Sequence, residues 1–409
     1  MFAFGIENFL ENKLFKPFEG KRIGLLAHQA SVDKKLRHSL DLLKETSLNI
    51  VCAFGPQHGM RGEKQDNMIE SDDYVDPKYH IPVYSLYGKT RKPTSSMLQD
   101  VDVILVDLQE VGNRIYTYIA TLVYMMDACE RWGKALWVLD RPNPVGRPVE
   151  GLCLQKGFET FVGVVPTPMR HGLTLGEFAL WYKRYKNYSL DLEVVPMLGY
   201  DPTKSHEWGW PAGVSWVNPS PNLPRLSACR MYAGTVLLEG TLLSEGRGTT
   251  IPLEVLGAPV GSGGVPLTCP EDWVKSIHEH LPSSWLEGAL LRPCYFEPVF
   301  QKHAGHLCGG FQIHVDHASY DHNAFKPFRL VSGALKVFHK LYPDYELWRK
   351  PPYEYEEVLM PFDILSGSDL LRKWISDKDI SMSSFEWLDD QLVQDENAWK
   401  EESQKFWLY

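Results

Sequence analysis

The sequence predicts an α/β protein in which a mainly parallel sheet domain is followed by a smaller α+β domain. Three observations lead there. Short apolar runs of strand length alternate with helically spaced segments through the first half, the rhythm of a parallel sheet covered on both faces. After about residue 228 the order changes to strands grouped with fewer helices. At 409 residues the chain exceeds what one core fills, so two domains are expected, residues 1–227 and 228–409.

The elements follow in order. RIGLLAH (22–28) is a first strand, and Leu36, Leu40 and Leu43 place a helix over Lys34–Glu45. NIVCAF (49–54), VDVILVDL (101–108) and ALWVLD (135–140) are the next strands, with an apolar-faced helix over Tyr116–Arg131 before the last. VGVVPTP (162–168) reads as extended, Thr174–Tyr185 as a helix and DLEVVPML (191–198) as a strand. Trp208–Leu226, rich in Pro, Trp, Asn and Gly, is a long ordered loop. A helix over Cys229–Leu242 and the turn SEGRGTT (244–250) precede strands near IPLEVLGAPV, CYFEPVF and GGFQIHV. Helices are expected at Phe328–Leu341 and Ser368–Ser376, and the acidic, aromatic tail from Ser384 reads as a docked helix.

A formal charge of −10 argues against a general nucleic-acid binder, which normally carries a basic stripe. No window has the length of a membrane span, and the opening residues lack the apolar stretch of a secretory leader. The expected location is therefore cytoplasmic, or exported if a leader was removed. Seven cysteines without a CxxC pair read as reduced thiols, neither a disulfide frame nor a zinc site.

The most informative stretch is FGPQHGMRGEKQDN (54–67), which leaves an apolar strand and crowds amide, imidazole, guanidinium and carboxylate groups around three glycines. A core does not accept so many polar groups without partners. The other early strands also end in polar clusters: His28 and Gln29; Asp107, Gln109 and Glu110; Asp140, Arg141 and Asn143. In a parallel sheet these ends share one rim, where the ligand crevice lies.

The chemistry of that rim narrows by what is missing. No GxGxxG or GK[ST] turn follows the first strand, which argues against a nucleotide, and no GxSxG elbow is present. His28, His58, Asp107, Asp140 and His171 have ligand chemistry for zinc or manganese, so a metal-dependent hydrolase stays an alternative, although no HExxH pair anchors it. Glycoside hydrolysis needs a proton donor and either a second carboxylate or a substrate acetamido group. Glu63, Asp107, Glu110, Asp140, Glu239 and Glu245 are candidates, and Arg61, Arg114, Arg141 and Arg247 suit a substrate carboxylate.

Taken together, FGPQHGMRG, IPVYSLYGKTRKPT, VDLQEVGNRIYTYI, LDRPNPVG, MRHGLTLGE, WVNPSPNLP, EGTLLSEGRGTT and HAGHLCGGFQIHV resemble the NamZ family over nearly the whole chain. These are exo-β-N-acetylmuramidases, which remove N-acetylmuramic acid from non-reducing ends of peptidoglycan-derived glycans. The resemblance implies a Rossmann-like N-terminal domain, a smaller C-terminal domain and an active site in the cleft between them. It implies no cofactor, and a glycan substrate bearing a lactyl carboxylate and a 2-acetamido group.

On this reading Gln57, His58, Glu63, Asp107 and Glu110 are the catalytic candidates. Substrate contacts are expected from His28, Gln29, Arg61, Gln109, Arg114 and Tyr116, from Asp140, Arg141, Asn143 and His171, and from Asn222, Glu239, Glu245 and Arg247. One position departs from the family's usual form, where a glutamate, the leading acid–base candidate, stands in place of Gln57. An amide cannot donate and recover a proton near neutral pH. Three outcomes are open: another carboxylate such as Glu63 or Glu110 transfers the proton, Gln57 orients substrate in a modified mechanism, or the protein binds the sugar with little or no cleavage. His28 stands where an asparagine is expected.

Overall fold

The computed structural model describes residues 2–62, 64, 68–204, 206–261, 269–376 and 384–409. Its frame is a seven-stranded sheet of β1 (Arg22–Ala27), β2 (Asn49–Gly55), β3 (Tyr74–Val75), β4 (Pro82–Ser85), β5 (Val103–Asp107), β6 (Ala135–Leu139) and β7 (Leu192–Val195). The spatial order is β3-β4-β2-β1-β5-β6-β7, and every pairing is parallel except β3 with β4. Counting parallel strands alone, this is the Rossmann order 3-2-1-4-5-6. The chain reverses direction across the sheet between β1 and β5, and ligands bind outside strand ends at such a switch point. Near-continuous burial along β1 and β5 explains the uninterrupted Leu, Ile and Val runs, since a central parallel strand is covered on both faces.

Several elements differ from the sequence expectation. The helix expected over Lys34–Glu45 is only Ser39–Lys44. Before it, Asp33 Oδ1 accepts the Lys35 and Arg37 amides, at 2.9 and 2.8 Å, and this competing turn leaves Leu36 exposed with φ of 62°. The segment 162–168 joins no strand; its Pro166 and Pro168 lack ladder donors. The helix at Leu226–Thr235 tightens into a 3₁₀ turn over Val236–Gly240. There Gly240 meets the backbone of Phe362 so closely that a Cβ would lie 2.5 Å from its Cα. Helices Gly5–Glu11 and Pro270–His280, with β3 and β4, are additional.

The second half carries an antiparallel sheet of β8 (Val255–Pro259), β10 (Cys308–His314) and β9 (Leu290–Phe296), in that order. Helix Pro270–His280 packs on it and helix Pro327–Leu341 on that helix, with Trp273 between Phe311 and Phe338, and one large apolar core runs through both halves of the chain. The tail helix Phe385–Ser403 returns across the first half. Arg329, almost wholly buried, pairs with Glu396 and Asp389, while Asp395 accepts the Cys153 amide at 2.8 Å and Trp399 donates to the His171 carbonyl at 2.8 Å. The acidic tail is therefore a clamp that holds the two halves together. Among the described residues no helix is long and apolar enough to cross a membrane.

Candidate active site

The rim forms around the switch point. His28, one residue beyond β1, is fully buried and its Nε2 accepts the Gln109 amide from the end of β5 at 2.9 Å. Its Nδ1 lies 3.3 Å from the Tyr118 hydroxyl and 3.4 Å from the Ala30 amide, and Tyr118 donates onward to the Pro219 carbonyl at 2.9 Å. Burial first, then Arg141, His38 and His58, holds His28 well below the usual histidine range. It is a neutral relay between sheet and loop. Gln29 donates to the Asn218 carbonyl at 2.6 Å, so both residues of the AHQ turn draw the NPSPNLP loop over the rim. Within that loop Asn222 is buried, and its amide nitrogen has no hydrogen-bond partner among the described residues.

Gln57 is 6% exposed and its Oε1 accepts from Thr117 at 2.8 Å. His58 adopts φ of 72°, and its Nδ1 lies 3.0 Å from the Lys64 carbonyl oxygen. Arg61 pairs with Asp76 at 3.1 Å. Gly62 is required here: at φ of 70°, a Cβ would lie 1.7 Å from Gln29 Oε1. Glu63 lies outside the described residues.

The structure assigns other predicted site residues to the scaffold. Asp107 forms a buried fork with Arg141, at 2.5 and 3.0 Å. Arg141 also donates to the Val32 carbonyl, at 2.9 Å, so the pair ties two strand ends to the loop after β1. Arg114 spends its guanidinium on the carbonyls of Leu152, Thr167 and Leu365, each at 2.8 Å. Asp140 accepts from Thr174, the Gly176 amide and Tyr409, and burial, with Glu177 beside it, raises its carboxyl to about 6. Glu110 binds the Gly112 and Asn113 amides at 2.6 and 2.9 Å, with His171 at 3.4 Å. Gln109 donates to the carbonyls of Glu110 and Pro142, and Asn143 to those of Gly146 and Leu173. Each had a site-like signature because strand ends need polar groups to hold their turns. Asp107, Glu110, Arg114, Asp140, Arg141 and Asn143 thus each hold a turn or a strand end through protein partners.

A second polar cluster meets the rim from the C-terminal half. Glu239 accepts from Arg247 and from the Tyr353 hydroxyl, the latter at 2.7 Å. Burial works to raise its carboxyl, but Arg247, Tyr353 and Lys302 outweigh that and leave it lowered. Glu245 pairs with Lys302 at 2.6 Å and with Arg247 at 3.3 Å. Tyr116, predicted as a substrate contact, is the ring that joins the two clusters: it lies against Tyr118 at 4.7 Å and Tyr232 at 6.2 Å between centroids. Next to Tyr353, Glu354 is buried and accepts from Tyr87 at 3.0 Å. Burial pushes its carboxyl up to about 7, with Glu239 adding to the effect and the Tyr87 hydroxyl opposing it. Sequence reading missed Glu354 because YEYEE (353–357) looks like a solvated acidic turn. Among the described residues no three His, Cys, Asp or Glu side chains gather as a metal site.

The arrangement is thus two buried polar clusters, one around Gln57 at the strand ends and one that holds two carboxyls of opposite tendency in the second half, with Tyr116 between them. The model for the N-terminal part of the exo-β-N-acetylmuramidase NamZ matches residues 23–227, and that for the C-terminal part matches residues 230–409. The chain belongs to the NamZ family.

The peptidoglycan beta-N-acetylmuramidase NamZ of Bacillus subtilis (strain 168) is 40% identical over 339 residues, which is 80% of this chain and 75% of that one. Two crystal structures of DUF1343 family proteins from Bacteroides fragilis NCTC 9343 share the fold. One has a TM-score of 0.83 at 32% identity and the other 0.74 at 27%, each covering 100% of this chain and 99% of its own. As the NamZ resemblance implied, the fold is a mostly parallel α/β sheet joined to a second unit.

Proposed function

We propose that the protein is an exo-acting glycoside hydrolase that releases N-acetylmuramic acid from the non-reducing ends of peptidoglycan-derived glycans. The observation that carries this reading is the match of both parts of the chain to NamZ, together with the named relative at 40% identity. The strand-end rim is consistent with it: the buried hydrogen-bonding groups Gln57, Thr117 and Tyr118 gather there, as a polar sugar requires. Of the four predicted arginines, Arg61 has the most exposed side chain, at 38%, against 7% or less for Arg141 and Arg247, and Arg114 is buried. Arg61 is therefore our receptor for the lactyl carboxylate, and Gln57 our partner for the acetamido group.

The test is incubation of purified protein with a chromogenic N-acetylmuramide and with muramyl-glucosamine disaccharide. Release of muramic acid is expected, and no release at high protein concentration refutes the proposal. A second reading, a glycan-binding homologue without turnover, is favoured by one observation: the position of the expected acid is an amide. It would be supported by thermal stabilisation with muramic acid in the absence of product.

A further inference from the structure

Gln57 leaves the proton donor unassigned, and the buried polar cluster of the second half contains a group suited to the task. Gly55 of β2 pairs with Ser85 of β4, so Gln57 and Tyr87 each lie two residues beyond a matched position on adjacent parallel strands. Tyr87 donates to Glu354 Oε2 at 3.0 Å and packs with Ala120, one turn along the helix that follows Thr117, which ties this carboxyl to the neighbour of the strand that carries Gln57. An independent path reaches the same place: Thr117 holds Gln57, its neighbour Tyr116 touches Tyr232, and Tyr353, adjacent to Glu354, bonds Glu239. Glu354 Oε1 takes no hydrogen bond from the described residues, so one oxygen is left to carry and present a proton.

We propose that Glu354 is the catalytic proton donor to the glycosidic oxygen, replacing the acid that Gln57 cannot be. The proposal rests on the muramidase reading. As the bond from the anomeric carbon to the leaving oxygen breaks, its electron pair stays on that oxygen, which takes the proton from Glu354 and departs as an alcohol. Glu354 becomes a carboxylate. Water supplies hydroxide to the anomeric carbon, and its remaining proton returns Glu354 to the acid, directly or through solvent. Glu239, kept ionised by Arg247, is the neighbouring anion. Two buried carboxyls whose surroundings push their protonation in opposite directions are the usual mark of divided acid and anion roles.

The nearby charged groups are consistent with a protonated Glu354. Glu239 opposes its ionisation, while Arg91 and Arg247 favour it without overcoming burial. Arg91 stacks on Tyr355 and pairs with Glu70.

Leaving-group dependence separates an acid from a structural carboxyl, because a sugar alcohol must be protonated on departure and 4-nitrophenolate need not be. Glu354→Gln should lower kcat on muramyl-glucosamine by about 10²–10⁴-fold, with a far smaller effect on the 4-nitrophenyl muramide. The wild-type loss of rate as pH rises through about 7 should disappear in the variant. Glu354→Asp, which keeps a carboxyl, should retain part of the disaccharide activity. Equal losses on both substrates, or an unchanged disaccharide rate, overturn the assignment while the muramidase reading stands. A wild-type protein that cleaves neither substrate overturns the function itself, and the donor role with it.

Discussion

Breaking the Asp107–Arg141 pair tests whether the strand-end charges hold the crevice open or take part in its chemistry. Asp107 ends β5, directly opposite Ala27, and its side chain and that of Arg141 are 0% and 2% exposed. Arg141→Met leaves a carboxylate buried without its fork, which costs about 3–5 kcal/mol. With a urea slope of about 3 kcal/mol per M, the unfolding midpoint should fall by roughly 1–1.7 M. Asp107→Leu alone strands the guanidinium and should cost a similar amount. The double variant Asp107→Leu with Arg141→Met should recover most of the loss, because replacing a whole buried pair by apolar groups is often neutral or stabilising. Urea titration followed by tryptophan fluorescence, with turnover measured on muramyl-glucosamine, reads both quantities. A single variant with an unchanged midpoint but abolished turnover would refute the scaffold role. So would a double variant that regains stability and stays inactive.

Three other outcomes are expected. Arg61→Ala should raise KM for muramyl substrates about 10-fold or more, the worth of a hydrogen bond to a charged group, and leave binding of the matching glucosaminide unchanged; an equal effect on both would remove Arg61 as the lactyl receptor. Gly62→Ala should cost about 1–2 kcal/mol for an L-residue in the left-handed region and weaken substrate binding as Gln29 is displaced, measurable by thermal shift and KM. Glu354, raised in the fold to about 7, contributes stability through its protonated form; that contribution is full below the unfolded carboxyl range near 4.5 and is lost as pH rises through about 7. The stability difference between wild type and Glu354→Gln should therefore decline from pH 4.5 to 7.5 in denaturant titrations, and a flat difference would contradict the shift.

Much of the framework was legible in the chain. Leu25, Leu26, Ile104, Leu105 and Val106 form runs without polar interruption, and only a strand covered on both faces tolerates that, so the parallel sheet followed from composition alone. The crevice was legible for the same reason: parallel strands deliver His28, Gln57 and Gln109 to one rim whatever the loops do. Roles were less legible. Asp107 and Glu110 carry the same chemistry as a catalytic acid, and only the structure shows their partners, a buried guanidinium and two turn amides. Glu354 gave no signal, because its importance comes from Tyr87 and Glu239, which lie 267 and 115 residues away along the chain.

What the sequence determined by itself was the architecture, the shared rim and the family, since apolar periodicity and long ordered motifs are local properties of the chain. It also places an amide, Gln57, where the NamZ resemblance implies a glutamate. The tertiary structure decided which polar groups hold turns and which carboxyls are pushed toward or away from their protons, Glu354 up and Glu239 down. Protonation and pairing depend on burial and on neighbours brought together by folding, and no segment of sequence contains its own solvent or its own partners.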